Sequence, residues 1–388
     1  MTKLIISIIT IFFNISMFIF PYQIIEGTKN GLSIWINNVL PVVFPFIVLN
    51  NVLQKTFALD ILPNFVFKPL SYILGISIQS AKNYLLAIIS GYPLGAKLAS
   101  DLYNSKSITN DEFLKIIRFF NNASPIFILG TVGASFLGNI NIGIFLYIVH
   151  ILSSMIIGIL LPTPQTSKTD FKNTSFLHNS NTTSKDSLGN IITSSIIDGF
   201  FTTINIGAFI VFFSFVSKTV ETSNLLRGFN PLLNIIPKEI FTGLILGILE
   251  MTNGIYIISS GSINEFSLAI ISFLIGFGGL SITMQSLSFM NVNRKIFTDY
   301  IKYKLLHGIL ASIITLFLIK FFYPLSVQTI KFEPNIRETA IKRYLDTSFI
   351  ADNLEIHPLL TMFLLSFMFT VLILGSSLKM HKNMKKGL

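Results

Sequence analysis

The chain of 388 residues is 51% hydrophobic and 12% charged, with a mean hydropathy of +0.69 and a net charge of +10. A soluble protein carries about a quarter charged residues, so half that fraction excludes a soluble enzyme, a disordered chain and a secreted disulfide scaffold; the lack of cysteine also removes thiolate metal sites. Apolar runs of about 18 residues or more recur along the chain, each long enough for a hydrocarbon core of about 30 Å, and predict an all-α polytopic membrane protein.

In chain order the runs fall at 4–20, 32–54, 84–100, 113–138, 140–161, 190–217, 240–258, 266–290, 305–322 and 359–378, ten predicted crossings. No small-residue cleavage site follows Phe20-Pro21-Tyr22, so the first run reads as a retained segment and not a signal peptide. With a cytoplasmic N-terminus and alternating sides, fifteen Lys and Arg fall inside, among them Lys55, Lys304 and the Lys379–Lys386 tail, against nine outside. The cytoplasmic side then holds only Asp60, Glu221, Glu239 and Asp299 as acids. This asymmetry predicts N-in, C-in topology and explains the basic charge without a nucleic-acid partner.

The chain divides into an N-terminal membrane segment (1–31), a first repeat (32–161), a polar flexible external loop (162–189) and a second repeat (190–323). Residues 324–388 then hold another external loop, the last membrane helix and the basic tail. In the first repeat, Val39–Leu49 is followed by a stretch around Pro69, the broken run Ile89-Ser-Gly-Tyr-Pro-Leu-Gly95, and Asn121-Asn-Ala-Ser-Pro125. In the second, Thr203–Phe213 is followed by a stretch around Pro231, then Leu249-Glu-Met-Thr-Asn-Gly254, then Gly276-Phe-Gly-Gly279. The Pro69/Pro231 offset is 162 residues and the Gly95/Gly254 offset 159, so the order of features is in register. Four predicted crossings in each unit make the repeats parallel; an inverted pair needs an odd count.

A broken membrane helix frees backbone groups that hydrocarbon cannot satisfy, and matched breaks point to a solute site. The candidate lining residues are Gly91, Pro93, Gly95, Asn121, Asn122, Ser124, Glu250, Asn253 and Gly254. Glu250 lies roughly 12 Å from the external end of its run at 1.5 Å per residue. It reads either as a functional ionisable group or as a side chain hydrogen-bonded or paired between helices. Lys97 and Arg118 sit at similar depth and offer it an ion pair; snorkelling to the interface is the alternative for both. Gly276, Gly278, Gly279, Ser281, Thr283 and Gln285 fit either close helix packing or ligand contact. His150, His178, His307, His357 and His381 lack metal-ligand spacing, and no hydrolase, phosphate-loop or zinc-protease string is present. Neither enzymatic activity nor a cofactor is expected.

Pro41-Val-Val-Phe-Pro45-Phe, Ser90-Gly-Tyr-Pro-Leu-Gly-Ala-Lys97, Asn121-Asn-Ala-Ser-Pro-Ile-Phe-Ile-Leu-Gly130 and Glu250-Met-Thr-Asn-Gly254 together resemble the YlbJ-like sporulation integral membrane proteins. These belong to the nucleoside-recognition (Gate) domain class, and the likeness covers most of 32–320. The resemblance implies a role in endospore formation in a spore-forming firmicute, in forespore or mother-cell membranes during cortex assembly. It also implies kinship with nucleoside transporters, whose inverted repeats with hairpins disagree with the parallel count above. The expected function is a transporter or permease-like protein for a small polar or nucleoside-like solute in the lipid bilayer. The alternatives are a scaffold for other sporulation membrane proteins and a lipid-linked precursor flippase.

Overall fold

The structure, a computed structural model, describes residues 2–56, 63–164, 187–223, 236–290 and 293–322. The predicted crossing at 359–378, the basic tail, the loop from 324 and nearly all of the 162–189 loop lie outside the described residues, as does the stretch around Pro231. Among the described residues all regular structure is helical.

Helix α1 (Thr2–Ile19) meets α2 (Pro21–Ile34) at a bend of 107° beside Phe20. Pro21 opens α2, where its missing N–H has no helical partner to lose. A π-helical turn, Trp35–Val39, leads into α3 (Leu40–Lys55) just before Pro41 interrupts the hydrogen-bond ladder. Helix α9 (Leu188–Thr222) runs antiparallel to this whole composite helix. Glycines set the approach: Gly27 meets Lys218, Gly31 meets Ser214, Gly207 meets Trp35 and Gly199 meets Val48. At the far end, Lys55 Nζ lies 2.8 Å from Asp198 and 2.8 Å from Ser194 Oγ.

Between these long helices lie the short ones α4 (Lys68–Leu74), α5 (Ile78–Ser90), α6 (Leu94–Asn104) and α7 (Asn110–Ile116). After 117–124 come a π-helix, Phe127–Phe136, and α8 (Ile140–Leu160). Beyond α9 the order is α10 (Lys238–Leu249), α11 (Met251–Ser259), α12 (Glu265–Phe277), α13 (Gly279–Ser288) and α14 (Arg294–Phe322). One core gathers around Tyr84, Phe119, Phe120 and Tyr300, and a second around Phe145, Ile255, Leu274 and Ile275.

The ten predicted crossings do not all become long helices. Among the described residues four helical stretches are long and apolar enough to cross: Ile140–Leu160, Leu188–Thr222, Glu265–Ser288 and Arg294–Ile319. Two bent pairs raise the number to six. The run 240–258 is a hairpin. A Cβ on Gly254 would lie 2.2 Å from Gly247 Cα, and one on Gly243 2.4 Å from the Ile258 side chain, so α11 folds back along α10. The run 84–100 turns back likewise, with Leu86 and Ala87 of α5 packed on Leu98 of α6. Composition registered apolar length in both places. The arms, with 13 and 11 residues in one hairpin and 12 and 9 in the other, are each shorter than a bilayer core at about 1.5 Å per residue.

Two ion pairs join residues that strict alternation places at different levels. Alternation put Lys55 inside and Asp198 near the external start of its run, and Arg118 in the outer third of its run with Asp299 inside. The structure pairs Lys55 with Asp198 at 2.8 Å and Arg118 with Asp299 at 2.5 Å, so the members of each pair share one level. Lys304, counted in a loop, is 1% exposed within α14.

Candidate functional site

The first hairpin turns at Gly91-Tyr92-Pro93. Gly91 has φ +79°, open to glycine, and a Cβ there would sit 2.5 Å from Ser124 Cβ. A Cβ on Gly95 would sit 2.4 Å from the Phe120 carbonyl. The tip therefore lies on the unwound stretch 117–124, and Pro125 begins the next helical turn there. Asn121, 2% exposed, stitches the contact. Its Oδ1 accepts from Ala96 N–H at 3.3 Å, and its Nδ2 donates to Ser286 Oγ and Tyr300 OH, both at 2.6 Å. Asn122 Nδ2 donates to the Phe119 and Phe120 carbonyls at the end of the α7 turn, and Ser124 Oγ accepts from Phe127 N–H. Pro93 is buried directly before α6.

The second hairpin turns at Glu250, whose extended backbone stops α10. Its carboxylate caps α11, accepting from Thr252 N–H at 3.1 Å and Asn253 N–H at 2.7 Å. Asn253 Nδ2 reaches Ser214 Oγ of α9 at 3.1 Å, and Gly254 is the close-contact point inside the hairpin. Gly278 and Gly279, at φ +81° and +74°, break α12 from α13 beside this tip. A Cβ on Gly279 would lie 2.9 Å from the Gly247 carbonyl. Gly276, by contrast, sets the close crossing with Gly308 of α14. Thr283 and Gln285 bond within α13, to the Gly279 carbonyl and Ser281 Oγ.

Tyr92 joins the two halves. Its hydroxyl donates to the Ile275 carbonyl at 2.7 Å, and its ring faces Gly278. Both hairpin tips thus converge on the α12–α13 break. Asn121 and Glu250 do not bond to one another, and both are closed to solvent. The proposed ion pair is not formed. Arg118 is taken by Asp299, Lys97 faces Asp101 four residues on, and among the described residues no base pairs with Glu250.

The sequence reading missed the centre of the junction. Lys304 Nζ lies 3.0 Å from Tyr92 OH, 3.0 Å from the Asn121 carbonyl and 3.3 Å from His307 Nδ1, with the Tyr92 ring centroid at 4.7 Å. His307 Nε2 lies 3.0 Å from the His150 carbonyl, the two imidazoles stack at 4.6 Å, and His150 Nε2 accepts from Ala123 N–H at 2.9 Å. His150 Nδ1 and Asn122 Oδ1 are buried without a hydrogen-bond partner. The available signal was Lys304 and His307, three residues apart at the start of the apolar run 305–322. A cavity of about 600 Å³ lies elsewhere, lined by Met17, Trp35, Ile204, Val211, Phe212 and Phe215; it is apolar.

The chain is 26% identical over 348 residues to the sporulation integral membrane protein YlbJ of Bacillus subtilis, covering 82% of this chain and 83% of that protein. The resemblance read from the motifs is borne out along most of both chains. No protein-family profile matches the chain, and no solved structure matches it.

Proposed function

We propose that this YlbJ-like integral membrane protein is a transporter or permease-like protein acting in sporulation, which holds a small polar solute needed for spore cortex formation between two re-entrant hairpins. The observation that carries the reading is the convergence of two hairpin tips, Gly91–Pro93 and Glu250, on helix breaks at 117–124 and 278–279. Matched broken segments deep in a membrane protein are the structural habit of solute sites, because their freed backbone groups need protein, water or ligand.

The same geometry supports a duplication. Each unit runs helix, hairpin, broken helix, long helix, as α3, α5–α6, α7 to the π-helix and α8, with the short α4 between α3 and the hairpin, then as α9, α10–α11, α12–α13 and α14. A hairpin that enters and leaves by one face adds no crossing, so each unit crosses three times and the units are inverted. The whole chain then has about eight crossings. Lys55 falls beside Asp198 and Arg118 beside Asp299 on the cytoplasmic side, with N- and C-termini both inside. Nucleoside-like solutes fit the hydrogen-bonding groups of Asn121, Asn122, Ser124 and Asn253, with Glu250 as the coupling or amine-binding group.

The test is Glu250→Gln, which keeps one capping oxygen and removes the charge. Heat-resistant spores are lost while protein levels stay normal; wild-type spore counts would sink the reading. The closed packing around Asn121 and Glu250 favours a second reading, a scaffold for spore-envelope proteins. In that case Glu250→Gln sporulates normally, and deletion of 162–188 or 379–388 abolishes sporulation.

A further inference from the structure

Lys304 has no part in the solute reading above, yet it sits where the first hairpin tip, the unwound stretch and α14 meet. Counting hydrogens assigns its state. Tyr92 has one hydroxyl hydrogen, given to the Ile275 carbonyl at 2.7 Å, so toward Lys304 its oxygen accepts. The Asn121 carbonyl only accepts. His307 Nε2 faces the His150 carbonyl and so carries the ring hydrogen, leaving Nδ1 as an acceptor toward Lys304. Nζ therefore donates three hydrogen bonds, and an ammonium alone has three hydrogens to give.

Among the described residues no carboxylate balances this charge: Asp299 is paired with Arg118, and Glu250 caps α11. The ammonium is held by two oxygens and one imidazole nitrogen. Hard oxygens from a hairpin tip and from an unwound backbone are the donors that a small monovalent cation takes. Here a side chain supplies the cation.

We propose that Lys304 is a built-in monovalent cation that clamps the Tyr92 hairpin tip onto the Asn121 stretch, so that closure of this junction needs no free Na⁺ or K⁺. The inference deepens the transporter reading by assigning how its first hairpin closes without a free cation, and it rests on the hairpin of that reading. Its test follows tip opening in the purified protein, so a chain that transports nothing still decides it.

The cysteine-free chain accepts a single reporter, Ser124→Cys, at the point covered by Gly91. The full chain is purified in detergent, and maleimide labelling and melting temperature are followed in N-methylglucamine, NaCl, KCl or methylammonium chloride. With Lys304 present, labelling is slow and indifferent to the cation. Lys304→Ala labels at least about tenfold faster, the factor expected for loss of one charge-assisted hydrogen bond. Methylammonium or Na⁺ then slows it saturably and raises the melting temperature. Lys304→Met, which fills the space without charge, labels fast and is not rescued. Slow labelling of Lys304→Met, no rescue of Lys304→Ala, or saturable Na⁺ or K⁺ protection of the chain with Lys304 overturns the proposal. If Lys304→Ala does not fold, Lys304→Met, which leaves the Tyr92 bond to Ile275 in place, carries the test by itself. Faster labelling supports the clamp, and an unchanged rate overturns it.

Discussion

Asn121 is the residue on which most of the junction turns. Its side chain bonds groups of α6, α13 and α14, and its carbonyl receives Lys304. Asn121→Ala strands several buried polar groups at once, and the expected loss is about 2–4 kcal/mol, since each unsatisfied group costs about 1–3. Thermal melting in detergent checks it against Ser124→Ala, which loses one local bond to Phe127 N–H and is expected to stay within about 1 kcal/mol of wild type. Asn121 stood out in the sequence because two Asn and a Ser precede a Pro inside an apolar run. Lys304 did not, because hydropathy reads composition: a lysine at the edge of an apolar run looks like a snorkelling one until its acceptors, Tyr92 and Asn121, are brought to it from some 180 to 210 residues away.

At the scale of elements, the hairpins depend on backbone approach and on capping. In the second, Gly243, Gly247 and Gly254 let α10 and α11 touch, and Glu250 supplies the cap at the turn. In the first half, Lys115 donates to the carbonyls of Leu74, Gly75 and Leu161, closing the C-terminal ends of α4 and α8. Glu112 accepts from Ser77 N–H and Ser80 Oγ at the start of α5. Gly254→Ala forces a Cβ to 2.2 Å from Gly247 Cα and is expected to cost about 1–3 kcal/mol or more. Gly189→Ala, whose nearest neighbour is Ser187 Oγ at 3.7 Å, is expected to be neutral or stabilising by up to about 1 kcal/mol, as an alanine in a helix should be. Melting temperatures of the two variants, compared side by side, check the pair. The breaks themselves were legible as Gly-Tyr-Pro, Asn-Ala-Ser-Pro and Gly-Gly strings. Whether a break bends one crossing or reverses the chain was not, since both have the same local composition.

For the whole molecule that difference decides the topology. With ten alternating crossings, Ser105 is external and Lys238 cytoplasmic; with two re-entrant hairpins the assignments exchange. Single cysteines at Ser105 and Lys238, both exposed, are expected to react with a membrane-impermeant maleimide from the cytoplasmic and external sides respectively. Reaction on the opposite sides would restore the alternating count. Length, low charge and recurring apolar runs were by themselves enough to determine a helical membrane protein, while the Gly-Tyr-Pro, Asn-Ala-Ser-Pro and Glu-Met-Thr-Asn-Gly strings marked where its helices break and carried its likeness to YlbJ. These depend on local composition and order, which the bilayer reads directly. The direction in which the chain leaves each break, the pairing of Lys55 with Asp198 and Arg118 with Asp299, and the burial of Lys304 among three acceptors were decided by the tertiary structure. Each depends on partners distant in sequence, and only packing brings those partners within hydrogen-bonding reach.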